Sequence, residues 1–80
     1  MLRQQFINFL VQEGWVEDRW GHYGKTVNSR KWRFKIQKLS FRREVWNTTV
    51  KQWVRIPYAV EHGSDYYRLF TVQEGRLKLK

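Results

Sequence analysis

The alternation of apolar and polar positions is most regular between residues 31 and 37. Three apolar residues alternate there with four polar ones: Trp32, Phe34 and Ile36 with Lys31, Arg33, Lys35 and Gln37. Because successive side chains of a β-strand point to opposite faces, this spacing predicts a strand with one face in the core and a row of cations on the other. We expect the three apolar side chains to be buried, and Lys31, Arg33 and Lys35 to be exposed on the other face.

A second pattern, near the start of the chain, has the spacing of a helix. Leu2, Phe6, Phe9 and Leu10 recur at intervals of three and four residues, with Ile7 beside them. A glycine follows at position 14, where it suits a left-handed helix end. The pattern predicts a helix over residues 2–13, whose apolar stripe packs on the same core as the strand.

The rest of the chain is typical of short strands separated by turns. Further strands are predicted over residues 15–27, with an interruption at Glu17-Asp18, and over 40–46, 52–58 and 76–80, while 66–72 fits a strand or a short helix. Turns are predicted at 28–30, 37–38, 47–51, 61–65 and 73–75. In the strand 40–46 the odd positions face inward, which places Arg43 on the core side without a reason visible in the sequence. The sequence therefore predicts one α+β domain over residues 1–80, with an N-terminal helix packed on an antiparallel sheet of about four to six strands.

The composition narrows the class of protein. Five Trp, five Phe and four Tyr supply a core to a chain of only 80 residues. Cysteine is absent, which excludes disulfides and cysteine-bound zinc, and small secreted domains usually contain disulfides. No apolar run approaches the roughly 20 residues needed to span a bilayer, and the polar residues near Met1 do not fit a signal peptide. We expect a cytoplasmic protein.

Positive charge is concentrated in the middle of the sequence. Lys and Arg number 16 against seven Asp and Glu. Ten of the cations lie between Lys25 and Arg55, where Glu44 is the only acid. A local excess of one sign creates a directed field that attracts a polyanion. An acidic protein partner and a simple role in solubility remain alternatives.

A cationic sheet face with interleaved aromatic residues is the first candidate site. Phosphates pair with Lys and Arg, and unpaired bases stack on aromatic rings, for about 1–3 kcal/mol per base. Trp46 and Trp53 flank the predicted hairpin loop and are expected to form a cross-strand pair, which would also explain them as a purely structural brace. No helix is rich in Lys and Arg, so RNA is slightly favoured over DNA. The candidate nucleic-acid-binding residues are Lys25, Arg30, Lys31, Arg33, Lys35, Lys38, Arg42, Trp46, Trp53, Arg55 and His22.

The segment Gly21-His22-Tyr23-Gly24 is the second candidate. A histidine between glycines has little steric crowding and is suited to acid–base work near neutral pH. Residues 6–36, with Gly14-Trp15 followed by Gly21-His22, resemble the HicA-type toxins, small RNA-cleaving proteins of the double-stranded-RNA-binding fold. The resemblance implies a related fold and RNA as ligand more than it implies catalysis. The serine that precedes the histidine in that family is missing, since His22 follows Gly21 directly, and the sequence shows no partner for His22.

No other set of residues indicates an enzyme or a cofactor. His62 lies beside Glu61 and Asp65, which are too few ligands for a metal site. The chain contains no glycine-rich phosphate loop and no nucleophile beside an obvious base. The sequence favours a non-catalytic nucleic-acid-binding protein without cofactors. A phage-type inhibitor or accessory subunit that binds an acidic protein surface, and a HicA-like ribonuclease, remain alternatives.

Overall fold

Five antiparallel strands form the main sheet, in the order in which they occur along the chain. The computed structural model describes residues 1–58 and 65–80. Helix α1 and the five strands are α1 Arg3–Gln12, β1 Val16–Glu17, β2 His22–Val27, β3 Arg30–Ile36, β4 Phe41–Asn47 and β5 Gln52–Arg55. A 3₁₀-helix, Tyr66–Leu69, leads into a separate hairpin of β6 Phe70–Gln73 and β7 Arg76–Leu79. The predicted α+β class with one N-terminal helix is confirmed.

The turn residues determine the register of the β2–β3 and β4–β5 hairpins. Asn28 and Ser29 both have left-handed φ angles, 50° and 66°, which fit the two-residue type I′ turn between β2 and β3. After β4, the Asn47 side-chain oxygen accepts hydrogen bonds from the backbone N–H groups of Thr49 and Val50, at 2.9 and 3.1 Å. This local bond closes the loop that returns the chain to β5.

The core lies between α1, one face of the sheet and the C-terminal segment. Phe6 and Leu10 of α1 are fully buried, and the Phe6 ring lies 5.4 Å from Phe34 and 4.3 Å from Phe41. The predicted helix stripe is therefore correct at its centre. Leu2 does not join it: this residue precedes the first turn, its N–H bonds to the Gln5 side chain, and it is 51% exposed.

The predicted burial of the central strand holds fully for one of its three apolar residues. Phe34 is buried, whereas Trp32 and Ile36 are only half-buried. Trp32 lies nearer than Phe34 to the turn between β2 and β3, and it lines an open groove. The alternation thus predicted the face correctly, but not how deeply each residue on it is buried.

Arg43, the exception to the inward pattern of β4, does face the core side. It lies directly opposite Phe34 in the register, and its Nε donates a hydrogen bond to the Ile56 carbonyl at 3.2 Å. Its guanidinium group lies 4.1 Å from the centre of the Tyr58 ring. A backbone acceptor and a ring face together accommodate a charge at the margin of the core.

The ambiguous segment 66–72 contains both kinds of structure. Its first part is the 3₁₀-helix and its second part is strand β6. Tyr67 in that helix is 1% exposed, and its hydroxyl oxygen lies 2.7 Å from the carbonyl oxygens of both Gln37 and Ser40. This hydroxyl ties the C-terminal segment to the turn between β3 and β4.

We expect the stability of the fold to fall at alkaline pH partly because of Tyr67. Burial raises the pKa of Tyr67 from 10.0 to about 12. The contribution of Tyr67 to the free energy of unfolding is complete below the pKa of this hydroxyl in the unfolded chain. It is lost as the pH rises toward the pKa in the folded protein, because over that range the hydroxyl releases its proton only in the unfolded chain. Urea midpoints at about pH 9 and about pH 11 should fall less in Tyr67→Phe than in the parent protein. An equal fall in both would show that this hydroxyl is not responsible.

Candidate nucleic-acid interface

The strand register places five cations on the sheet face opposite α1. Directly opposed residues of antiparallel strands share a face, and Lys35 lies opposite Arg42 while Arg33, Glu44 and Arg55 form one row across three strands. Lys31 shares the face because it alternates with Trp32. We call this surface the outer basic face; its cations are Lys31, Arg33, Lys35, Arg42 and Arg55.

Arg33 lies on that face but is not the exposed cation that the alternation predicted. Its Nε lies 2.6 Å from an oxygen of Glu44, which is only 8% exposed, and its guanidinium lies 4.2 Å from the Trp53 ring centre. A buried carboxylate requires a cationic partner, so the charge of Arg33 neutralises Glu44 within the sheet. Lys31 and Arg42 are exposed and Lys35 is half-buried, which makes these three the better candidates for phosphate contact.

Trp46 and Trp53 form the predicted cross-strand pair on the outer basic face. They lie directly opposite each other in β4 and β5, with ring centres 5.4 Å apart and planes at 69°. Such an edge-to-face pair stabilises a hairpin by about 0.5–1.5 kcal/mol beyond its buried area. Both rings are half-buried, so part of each surface also remains in contact with solvent.

His22 lies at the β2 end of the same face, opposite Lys35. The sequence did not reveal its neighbour: His22 Nδ1 lies 3.8 Å from a carboxylate oxygen of Asp18, beyond hydrogen-bond distance. This Nδ1 is buried and has no hydrogen-bond partner among the described residues. Burial raises the pKa of Asp18, but backbone hydrogen bonds from His22 and Trp20 and the nearby charges of His22 and Arg33 outweigh it and hold that pKa below its usual value.

Three other predicted cations lie away from the outer basic face. Lys25 and Arg30 are paired with Trp32 and Val27, on the helix side of the sheet. The Lys25 ammonium donates a hydrogen bond to the Glu13 carbonyl, at the end of α1. Lys38 lies in the turn between β3 and β4. The charge excess in the sequence is therefore divided between two faces, which a count of cations along the chain does not show.

The helix side carries a groove that the sequence analysis missed. It is lined by Trp15, Trp32 and Tyr58 together with Arg30 and Arg43. Trp15, Tyr58 and the β3 residues Arg30 and Trp32 are far apart in the sequence, and only the inward position of Arg43 gave a signal. The predicted loop residues Glu61 and His62 lie outside the described part of the chain.

Within residues 1–58 and 65–80, no group of His, Asp and Glu side chains is arranged to hold a metal ion. In the same ranges, no helix is long and apolar enough to cross a membrane. Comparison with protein-family models, curated proteins and solved structures finds no match to this chain. The resemblance to HicA-type toxins therefore stays a prediction.

Proposed function

We propose that this protein binds nucleic acid, single-stranded RNA above all, through its outer basic face. The observation that carries the proposal is the direct cross-strand pairing of Lys35 and Arg42 on a face that also contains Lys31. Neighbouring cations on one strand pair can contact successive phosphates of a flexible backbone. The partly accessible rings of Trp46 and Trp53 lie on the same face and offer surfaces for bases.

The proposed binding involves no catalytic step. His22 stands beside these cations, but its buried Nδ1 has no hydrogen bond from residues 1–58 or 65–80 that would orient the ring as a general base. We assign His22 a contact at the margin of the face. Cleavage of bound RNA that disappears in His22→Ala would overturn this assignment in favour of a ribonuclease.

Removal of two neighbouring cations tests the proposal. We expect the double variant Lys35→Gln, Arg42→Gln to bind single-stranded RNA more weakly whatever its sequence, because phosphate contacts carry no base information. The slope of log affinity against log salt should fall by about 0.7–0.9 for each phosphate that the variant no longer neutralises. Titrations of matched single- and double-stranded RNA and DNA over a salt series provide the measurement.

The separate β6–β7 hairpin supplies a matched control. Arg76→Gln with Lys78→Gln removes the same two charges from β7, where both residues are exposed. This control should leave the salt slope close to that of the parent protein. Equal losses of RNA affinity in the two double variants would show that the effect depends on net charge and not on the outer basic face. Unchanged affinity in the first double would point instead to an acidic protein surface as the partner.

A further inference from the structure

The groove on the helix side has the size and lining of a small-ligand site. Its volume is about 530 Å³, within the roughly 300–1,000 Å³ typical of such sites. Four aromatic residues and two arginines dominate its wall: Trp15, Trp32, Phe34, Tyr58, Arg30 and Arg43. Phe34 is buried, while Trp15, Trp32 and Tyr58 are half-buried, so these three rings keep part of their surface open to a ligand.

Contacts on the core side of the sheet hold two of the groove's rings, Trp15 and Tyr58, and one arginine in place. The Trp15 ring lies edge-on to Phe34, with centres 4.8 Å apart. Arg43 is fixed by the Ile56 carbonyl and by the Tyr58 ring. Arg30, the first residue of β3, is exposed at the end of the groove nearest the turn. Little ordering would therefore accompany binding of a flat ligand.

The positive charge of the groove favours an anionic ligand. Among the described residues that line it there is no carboxylate, whereas two arginines contribute positive charge. Arginine binds phosphate through its planar fork of N–H donors, and tryptophan and tyrosine faces stack on flat heterocycles. An acidic peptide would use the cations but would leave most of the ring surface without a partner.

We propose that this groove is a nucleotide-binding pocket, in which a base packs among Trp15, Trp32 and Tyr58 while its phosphate pairs with Arg30 or Arg43. The nucleotide is either free in solution or an unstacked residue of a bound strand. The pocket does not depend on the outer basic face, because the sheet separates the two. Consecutive residues of one strand point to opposite faces, as Arg30 and Lys31 do in β3 and Arg43 and Arg42 do in β4.

Site-resolved spectroscopy with the four nucleoside monophosphates tests the pocket directly. In a ¹H–¹⁵N spectrum, we expect saturable shifts of the Trp15 and Trp32 indole signals, with Trp46 and Trp53 unmoved. Titration with inorganic phosphate alone and with a short single-stranded RNA forms the two parallel arms. If monophosphates shift the Trp15 and Trp32 signals, a free nucleotide is sufficient to occupy the pocket. If RNA shifts these signals and monophosphates do not, the pocket binds a nucleotide that belongs to an RNA strand.

Variants outside both proposed binding surfaces provide the controls. Arg30→Gln should weaken nucleotide binding about tenfold, and Arg76→Gln, which removes an exposed arginine from β7, should change it less than about twofold. Trp32→Leu should behave like the former, and Trp20→Leu, which removes an exposed tryptophan, should behave like the latter. Since Arg30 is exposed, its variant keeps the test valid even if Trp32→Leu fails to fold.

Several results would overturn the proposal that the groove binds a nucleotide. They are the absence of Trp15 and Trp32 shifts with every ligand, shifts confined to Trp46 and Trp53, and phosphate alone binding as tightly as a nucleotide. The outer basic face is judged separately, by the salt slope of the Lys35→Gln, Arg42→Gln double variant on RNA. Either proposal can therefore fail while the other holds.

Discussion

Phe41→Ala is expected to lower the free energy of unfolding by about 3–5 kcal/mol, the range found for removing a buried aromatic ring. Phe41 is 2% exposed, and its ring contacts rings from the helix, the sheet and the C-terminal segment. Its ring centre lies 4.3 Å from Phe6, 5.8 Å from Phe34, 4.8 Å from Tyr66 and 5.1 Å from Phe70. The space left by this ring cannot be filled by one small movement, because its neighbours belong to several elements.

Urea unfolding followed by tryptophan fluorescence measures this loss. A chain of this length is stable by roughly 4–12 kcal/mol, so the substitution removes a large part of the total. The exposed loop residue Val50 supplies the control, since Val50→Ala should change stability by less than about 0.5 kcal/mol. A loss below about 1 kcal/mol for Phe41→Ala would show that this ring is not central to the core.

The second large effect concerns the buried pair of Arg33 and Glu44. Arg33→Met should destabilise the protein by about 3 kcal/mol, because it leaves the Glu44 carboxylate buried without the guanidinium that lies 2.6 Å away. It also removes the cation from the face of Trp53. RNA affinity of the folded protein should change less than in the Lys35→Gln, Arg42→Gln variant.

A double-mutant cycle distinguishes this pairing from two independent contributions. Arg33→Met combined with Glu44→Met removes both charges and leaves apolar side chains of similar length on the outer basic face. The double variant should therefore be more stable than Arg33→Met alone. Strictly additive losses in thermal or urea unfolding would mean that the two side chains do not depend on each other.

Much of the fold could be predicted from the sequence, because it depends on local periodicity. The alternation around Phe34 identified β3 and both of its faces, and the spacing of Phe6 and Leu10 identified α1. The extent of burial could not be predicted in the same way. Trp32 follows the same alternation as Phe34, yet Trp32 is only half-buried and borders the groove, because burial depends on which distant segments pack over each part of the strand.

The candidate site was predicted less completely for a related reason. Alternation assigns Arg33 to a face, but only the pairing of β3 with β4 places Glu44 beside it. The groove brings together Trp15, Trp32 and Tyr58, which no sequence spacing connects. Arg43 was the one sign available, since a cation on an inward position requires an acceptor or a ring nearby.

The sequential order of the five strands also bears on how the chain reaches its native state. Among the described strands, each of these five pairs with its neighbours along the chain, and two residues suffice to connect β2 to β3. Short connections cost little closure entropy, so these hairpins can form before any distant segments meet. The contacts of Phe6 with Phe41 and Tyr67 join residues that are much further apart in the sequence, so forming them costs more closure entropy. Folding would therefore begin in the central hairpins and end with the docking of the two chain ends, the step that encloses the aromatic core.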